Sequence, residues 1–99
     1  MNPKQLMRQF QDMQEKMARE MDAMRVEGSA GGGVVVATMN GQKALLAIRI
    51  APEAITPDDP EMLQDLVVAA VGEAVRKVEE ELSQKLGGMT GGLKIPGLF

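Results

Sequence analysis

The stretch that decides the fold is Val34-Val35-Val36-Ala37-Thr38-Met39-Asn40-Gly41-Gln42-Lys43-Ala44-Leu45-Leu46-Ala47-Ile48-Arg49-Ile50. Its first six residues are β-branched or apolar and too few for a globular helix, so they read as a strand over about 33–39. Asn40-Gly41 follows at once, a strong hairpin signal because both positions tolerate positive φ. The return strand spans about 43–50. Along it Ala44, Leu46, Ile48 and Ile50 alternate with Lys43, Leu45, Ala47 and Arg49. The second set carries two cations and is expected on the wetter face.

Outward from the hairpin, Ala51-Pro52 ends the return strand, because proline donates nothing to a ladder. On the other side Gly28-Ser29-Ala30-Gly31-Gly32-Gly33 supplies a turn, preceded by a short strand over about 25–29. Further out lie two helical patterns. Asn2 and Pro3 make an N-cap and first turn. Leu6, Phe10, Met13, Met17, Met21 and Met24 then recur at steps of three and four, predicting an amphipathic helix over about 3–24. Asp59-Pro60 opens the second helix. It carries Leu63, Leu66, Val67, Ala70, Val71, Ala74, Val78 and Leu82 on one face and is expected to stop at Gly87-Gly88, near residue 86. Residues 87–99 then read as a flexible Gly-rich tail.

The order is α-β-β-β-α, an α+β fold in one domain over about 1–86, with a small antiparallel three-stranded sheet. Strands of five to eight residues cannot cover two helices longer than 20 residues. The uncovered length either projects as bare arms or is shared with a second copy. The stripe of Leu6, Phe10, Met13, Met17, Met21 and Met24 is therefore expected to be core or the seam of a symmetric homodimer. A sticky, Met-rich surface for other partner helices is the alternative.

Composition narrows the chemistry. Among 99 residues there are nine Met, two Phe, and no His, Cys, Trp or Tyr. The usual neutral-pH base, the thiolate nucleophile and the commonest metal ligand are thus missing, and no enzyme, cofactor, metal or small-molecule substrate is expected. Gly31-Gly32-Gly33 resembles a phosphate loop only in its glycines, since a Val-rich strand follows instead of Lys-Ser/Thr and a helix. Asp58, Asp59 and Glu61 fit helix capping better than a cation site. No apolar run is long enough to span a membrane, and the first residues lack the apolar core of a secretion signal, so a cytoplasmic protein is expected.

The formal net charge is −3, unevenly distributed. Residues 1–25 hold five cations against four acids, a net +1, whereas residues 58–86 hold three cations against eight acids, a net −5. Lys4 and Arg8 lie one helical turn apart, and Arg19 falls near the same side, with Lys16 displaced. By themselves these cations also fit a solvated, salt-bridged surface. Without aromatics to stack on bases, single-strand recognition is not expected. Any duplex binding would rest on phosphate contacts and shape.

Several blocks, taken in order, carry a resemblance. They are Leu6-Met7-Arg8-Gln9, Met13-Gln14-Glu15-Lys16-Met17, Val26-Glu27-Gly28, Asn40-Gly41, Ile48-Arg49-Ile50-Ala51-Pro52 and Glu61-Met62-Leu63-Gln64-Asp65-Leu66-Val67. Ala69-Ala70 and the tail Leu93-Lys94-Ile95-Pro96-Gly97-Leu98-Phe99 complete the set. Over about residues 5–99 the chain resembles the YbaB/EbfC family of bacterial nucleoid-associated proteins, departing from it at Ala51, where an Asp is common. The resemblance implies a homodimer with protruding helices that binds double-stranded DNA and alters its conformation. It also implies a nucleoid location and a part in gene regulation and DNA organisation. It places phosphate contacts at Arg8 and Lys16; Lys4 and Arg19 are added from helix geometry.

Overall fold

A computed structural model describes residues 2–89, with side chains to residue 85. Helix α1 (Pro3–Ala23) is followed by strands β1 (Val26–Ala30), β2 (Val35–Met39) and β3 (Leu45–Ile50). A single 3-10 turn at Pro52–Ala54 leads to helix α2 (Pro60–Met89). The sheet is antiparallel in the order β1-β2-β3. The α-β-β-β-α architecture is thus as expected; β1 is displaced by one residue, and β2 and β3 each start two residues later than expected, where their glycine or loop neighbours end.

Local chemistry accounts for the boundaries. The Asn2 Oδ1 accepts from the Gln5 N–H at 2.9 Å, and the Asp59 Oδ1 accepts from the Met62 N–H at 3.2 Å, so both helices start on a side-chain cap. Gly31, Gly32 and Gly33 all take positive φ, which only glycine adopts without strain, and they turn β1 into β2. α2 runs on to Met89, past the Gly87-Gly88 pair expected to stop it. Glycine in a helix costs about 1 kcal/mol relative to alanine, a weakening that three preceding turns of good helix formers outweigh. The tail beyond Met89 lies outside the described residues.

The core forms between one face of the sheet and α2. Val35, Ala37 and Met39 from β2, Val26 from β1, and Ala70, Ala74 and Val78 from α2 are buried, with Met24 joining them. Small residues set the spacing. A Cβ on Gly28 would stand 2.3 Å from the Ala70 carbonyl oxygen and 2.3 Å from the Ala74 nitrogen, so backbone packs on backbone there. The opposite face, with Glu27, Ser29, Ala47 and Arg49 exposed, has no helix of the described residues over it.

Register corrects one detail of the return strand. Ile48 and Ile50 pair with Ala37 and Val35 on the core face, as the alternation implies. A bulge at Thr38/Met39 then pairs Met39 with Leu45, not Leu46, so the simple alternation fails below residue 47. Leu45 and Leu46 are both exposed.

α1 is a different kind of element. None of its residues is buried. Leu6, Phe10, Met13 and Met17 are 59%, 62%, 62% and 44% exposed, Met21 is half-buried, and only Met24, the cap residue, enters the core. Within one chain, therefore, the first four positions of the stripe are not core. The sheet has one face for one helix, and α2 occupies it with Ala70, Ala74 and Val78. The radius of gyration, 18.8 Å, far exceeds the roughly 13 Å of a compact 100-residue chain.

Candidate nucleic-acid interface

The charges sort by element. The cations of the β2–β3 loop, of β3 and of the middle of α2 each have a glutamate. Lys43 Nζ lies 2.9 Å from Glu79 Oε1, Arg49 Nη2 3.5 Å from Glu27 Oε2, Arg76 Nη1 3.0 Å from Glu80 Oε1, and Lys77 Nζ 3.2 Å from Glu73 Oε1. Lys77 also donates to the Glu27 carbonyl at 2.8 Å, closing the outer edge of β1 against α2. Arg25 is used locally: its Nη1 donates to the carbonyls of Asp22 at 2.7 Å and Met24 at 2.8 Å, covering the negative end of α1.

The four cations singled out from sequence stand apart. Lys4, Arg8, Lys16 and Arg19 are all exposed, and among the described residues none is in an ion pair. Arg25, engaged with backbone carbonyls, and Lys85, near the far end of α2, are the other described cations without a carboxylate. At 100° per residue Lys4, Arg8 and Arg19 fall on the side of α1 opposite Leu6, Phe10, Met13 and Met17, with Lys16 on the flank. The structure thus places all four on one element and three of them on one side.

The first eleven residues contain Lys4 and Arg8 and no acid, and the first turn of α1 has no carboxylate to offset the positive helix end. Asp12, Glu15 and Asp22 intersperse the cations further along, so the positive field is strongest at the tip of α1. An exposed row of unpaired guanidinium and ammonium groups is suited to phosphate oxygens, which accept bidentate or point-charge contacts without base readout.

On the other side of α1, Leu6, Met7 and Phe10 with Gln11 and Gln14 frame a shallow apolar depression, and Met13, Lys16, Met17 and Glu20 frame a second. One helix therefore carries a cationic side and an uncovered apolar side. No helix of the described residues is long and apolar enough to cross a membrane.

Sequence reasoning missed what fixes this helix to the body. Asn40 and Gly41 signalled the hairpin, yet the positive φ of the turn belongs to Lys43, at 63°. Asn40 is buried, and its Oδ1 accepts from the Gln42 N–H at 2.9 Å and the Ala44 N–H at 3.0 Å. Gly41 donates its N–H to the Met21 carbonyl of α1 at 2.8 Å. No local pattern announces that last contact, because its partner lies in an element of different period.

Comparison with known proteins identifies the family. The chain matches the YbaB/EbfC DNA-binding family over residues 1–93. It is 52% identical to a nucleoid-associated protein of Clostridium perfringens (strain SM101), over 99% of this chain and 90% of the relative. It is 48% identical to a nucleoid-associated protein of Pelotomaculum thermopropionicum, over 99% and 96%. Among solved structures, an uncharacterized protein from Helicobacter pylori, HP0035, shares the fold at a TM-score of 0.66 and 20% identity, covering 85% of this chain and 98% of that one. With 93 of its 99 residues matched and close relatives spanned nearly end to end, the chain belongs to the YbaB/EbfC DNA-binding family.

Proposed function

We propose that the chain binds duplex DNA as a homodimer through the cations of α1, alters the conformation of the DNA, and so contributes to nucleoid organisation and gene regulation. The observation that carries this reading is the partition of charge. The body's cations, Lys43, Arg49, Arg76 and Lys77, are neutralised by glutamates, while Lys4, Arg8, Lys16 and Arg19 on α1 are not. The exposed stripe on the opposite side of the same helix supports the dimer, since contiguous apolar surface of this kind marks an association site. Two copies joined along that stripe carry two helix tips, each with Lys4 and Arg8 and no acid in its first eleven residues, which concentrates positive charge locally despite a net charge of −3 per chain.

The role is one of binding. Family membership supports it, and so does the lack of His, Cys, Trp and Tyr, which leaves few groups for acid–base or nucleophilic work. A second reading, a protein-interaction module, is favoured by the exposed cluster of Leu6, Met7 and Phe10. Partners that survive nuclease treatment in a pull-down would support it over DNA binding.

Fluorescence anisotropy with a labelled duplex, titrated over a range of salt, tests the main reading. Affinity is expected to fall linearly on a log–log plot. Arg8→Ala and Lys16→Ala are each expected to weaken binding about equally for all sequences and to reduce the salt slope by about 1. No binding at low salt to duplex of any sequence would overturn the proposal.

A further inference from the structure

The tip of the β2–β3 hairpin is where α1, the sheet and α2 meet. Asn40, 3% exposed, holds the loop from inside through its two accepted N–H bonds. That leaves the Gly41 N–H pointing at α1, where it donates to the Met21 carbonyl at 2.8 Å. The same carbonyl accepts the Met24 N–H at 3.3 Å, so the bond from Gly41 is the shorter of the two. Gly41 is not in the left-handed region; what it supplies is space. A Cβ there would stand 2.9 Å from the Met21 carbonyl oxygen and 3.0 Å from its Cα, and both are backbone atoms that move only if the helix moves. On the far side of the loop the Lys43–Glu79 pair ties the hairpin to α2.

Since α1 buries none of its own residues against its own chain, the contacts that chain supplies to set its direction lie at this one end, whatever a second copy adds along the stripe. We propose that Asn40 and Gly41 are positioning residues for DNA binding: they fix the angle at which α1 leaves the body, and hence where its cations meet the phosphates. This inference rests on the reading that α1 carries the DNA contacts. A displaced α1 still holds every cation, yet it presents them along a different line, so fewer phosphates are engaged at once.

The chain has no cysteine, so two introduced ones are labelled cleanly. Gln9→Cys on α1 and Gln64→Cys on α2 are both exposed and outside the contacts above. Spin-labelled double variant, diluted with unlabelled protein, gives the α1-to-body distance within one chain by pulsed electron resonance. Adding Gly41→Ala is expected to shift or broaden that distribution by several ångström, with helix content by circular dichroism retained. Duplex affinity is expected to drop at least about tenfold, with a shallower salt slope because fewer counterions are released. A purely structural role would scale affinity with the folded fraction and leave the slope as it was. Should Gly41→Ala not fold, hydrogen exchange on the unmutated protein decides. The Gly41 amide is expected to exchange on the order of a hundredfold slower than that of the exposed Gly32 if the joint is closed.

An unchanged distance distribution in Gly41→Ala, or a Gly41 amide as fast as Gly32, overturns the joint. A shifted distribution with affinity and slope unchanged overturns its link to DNA. An unmutated protein with slow Gly41 exchange and a narrow distribution that binds no duplex overturns the proposed function instead.

Discussion

Two glycines with opposite requirements show how single residues set this structure. Gly31 sits where the chain needs positive φ, and the local run of glycines says so. Gly28 sits in an ordinary strand conformation, and its need is for room against the backbone of Ala70 and Ala74. Gly28→Ala therefore has no relaxed solution. It is expected to destabilise the chain by about 3 kcal/mol, at the upper end for overpacking, read as a lower urea midpoint with an unchanged slope. Asn40→Ala leaves the Gln42 and Ala44 N–H groups without their acceptor in a partly buried loop. The expected cost is about 1–3 kcal/mol in the same measurement. The pair Asn40-Gly41 was legible as a hairpin, but its reason was not. The sequence motif suggests two positive-φ residues, whereas the left-handed position is taken by Lys43, and the motif instead provides an acceptor and a gap. The gap answers to Met21, 20 positions away in α1 and beyond any local pattern.

At the level of elements, periodicity was enough to find both helices, while the Val-rich run, the Asn40-Gly41 signal and the glycine turn were enough to find the three strands. It was not enough to say what covers each apolar face. Both helices have a stripe, and the sheet has one free face; the competition is decided by small residues. Ala70 and Ala74 let α2 approach Gly28, and Leu6, Phe10, Met13 and Met17 of α1 are left exposed. Putting a charge into the uncovered stripe separates the two roles. Met13→Lys is expected to leave the urea stability of the single chain within about 0.5 kcal/mol, because an exposed side chain loses no core contact. It is also expected to shift the sedimentation mass at micromolar concentration from twice the 10.6 kDa chain mass to that mass itself. In the unmutated protein the melting temperature is expected to rise with protein concentration, as dimerisation requires, and in Met13→Lys to be independent of it.

For the whole molecule the balance of charge is the informative quantity. A pI near 4.9 argues against nucleic acid if the chain is taken as a uniform sphere. The structure is 67 Å long and 16 Å thin, so charges at its two extremes act independently over a Debye length of about 8 Å at physiological salt. The uneven distribution was readable from residue counts. Which cations are already neutralised was not, because Lys43–Glu79 and Arg49–Glu27 join residues 36 and 22 positions apart. Reversing a body charge such as Glu80→Lys is accordingly expected to change duplex affinity less than twofold at 150 mM salt, whereas Arg8→Glu is expected to cost more than tenfold; anisotropy titrations compare the two.

The attachment of α1 at one end has a mechanical consequence. The helix from Met21 back to Lys4, at 1.5 Å per residue, makes a lever about 26 Å long. A tilt of about 10° at the Met21 fulcrum sweeps Lys4 through roughly 4.5 Å, more than the 3.4 Å rise between successive nucleotides of one strand. Sub-ångström adjustments at the hairpin are thereby geared up into a change of which phosphate is within reach.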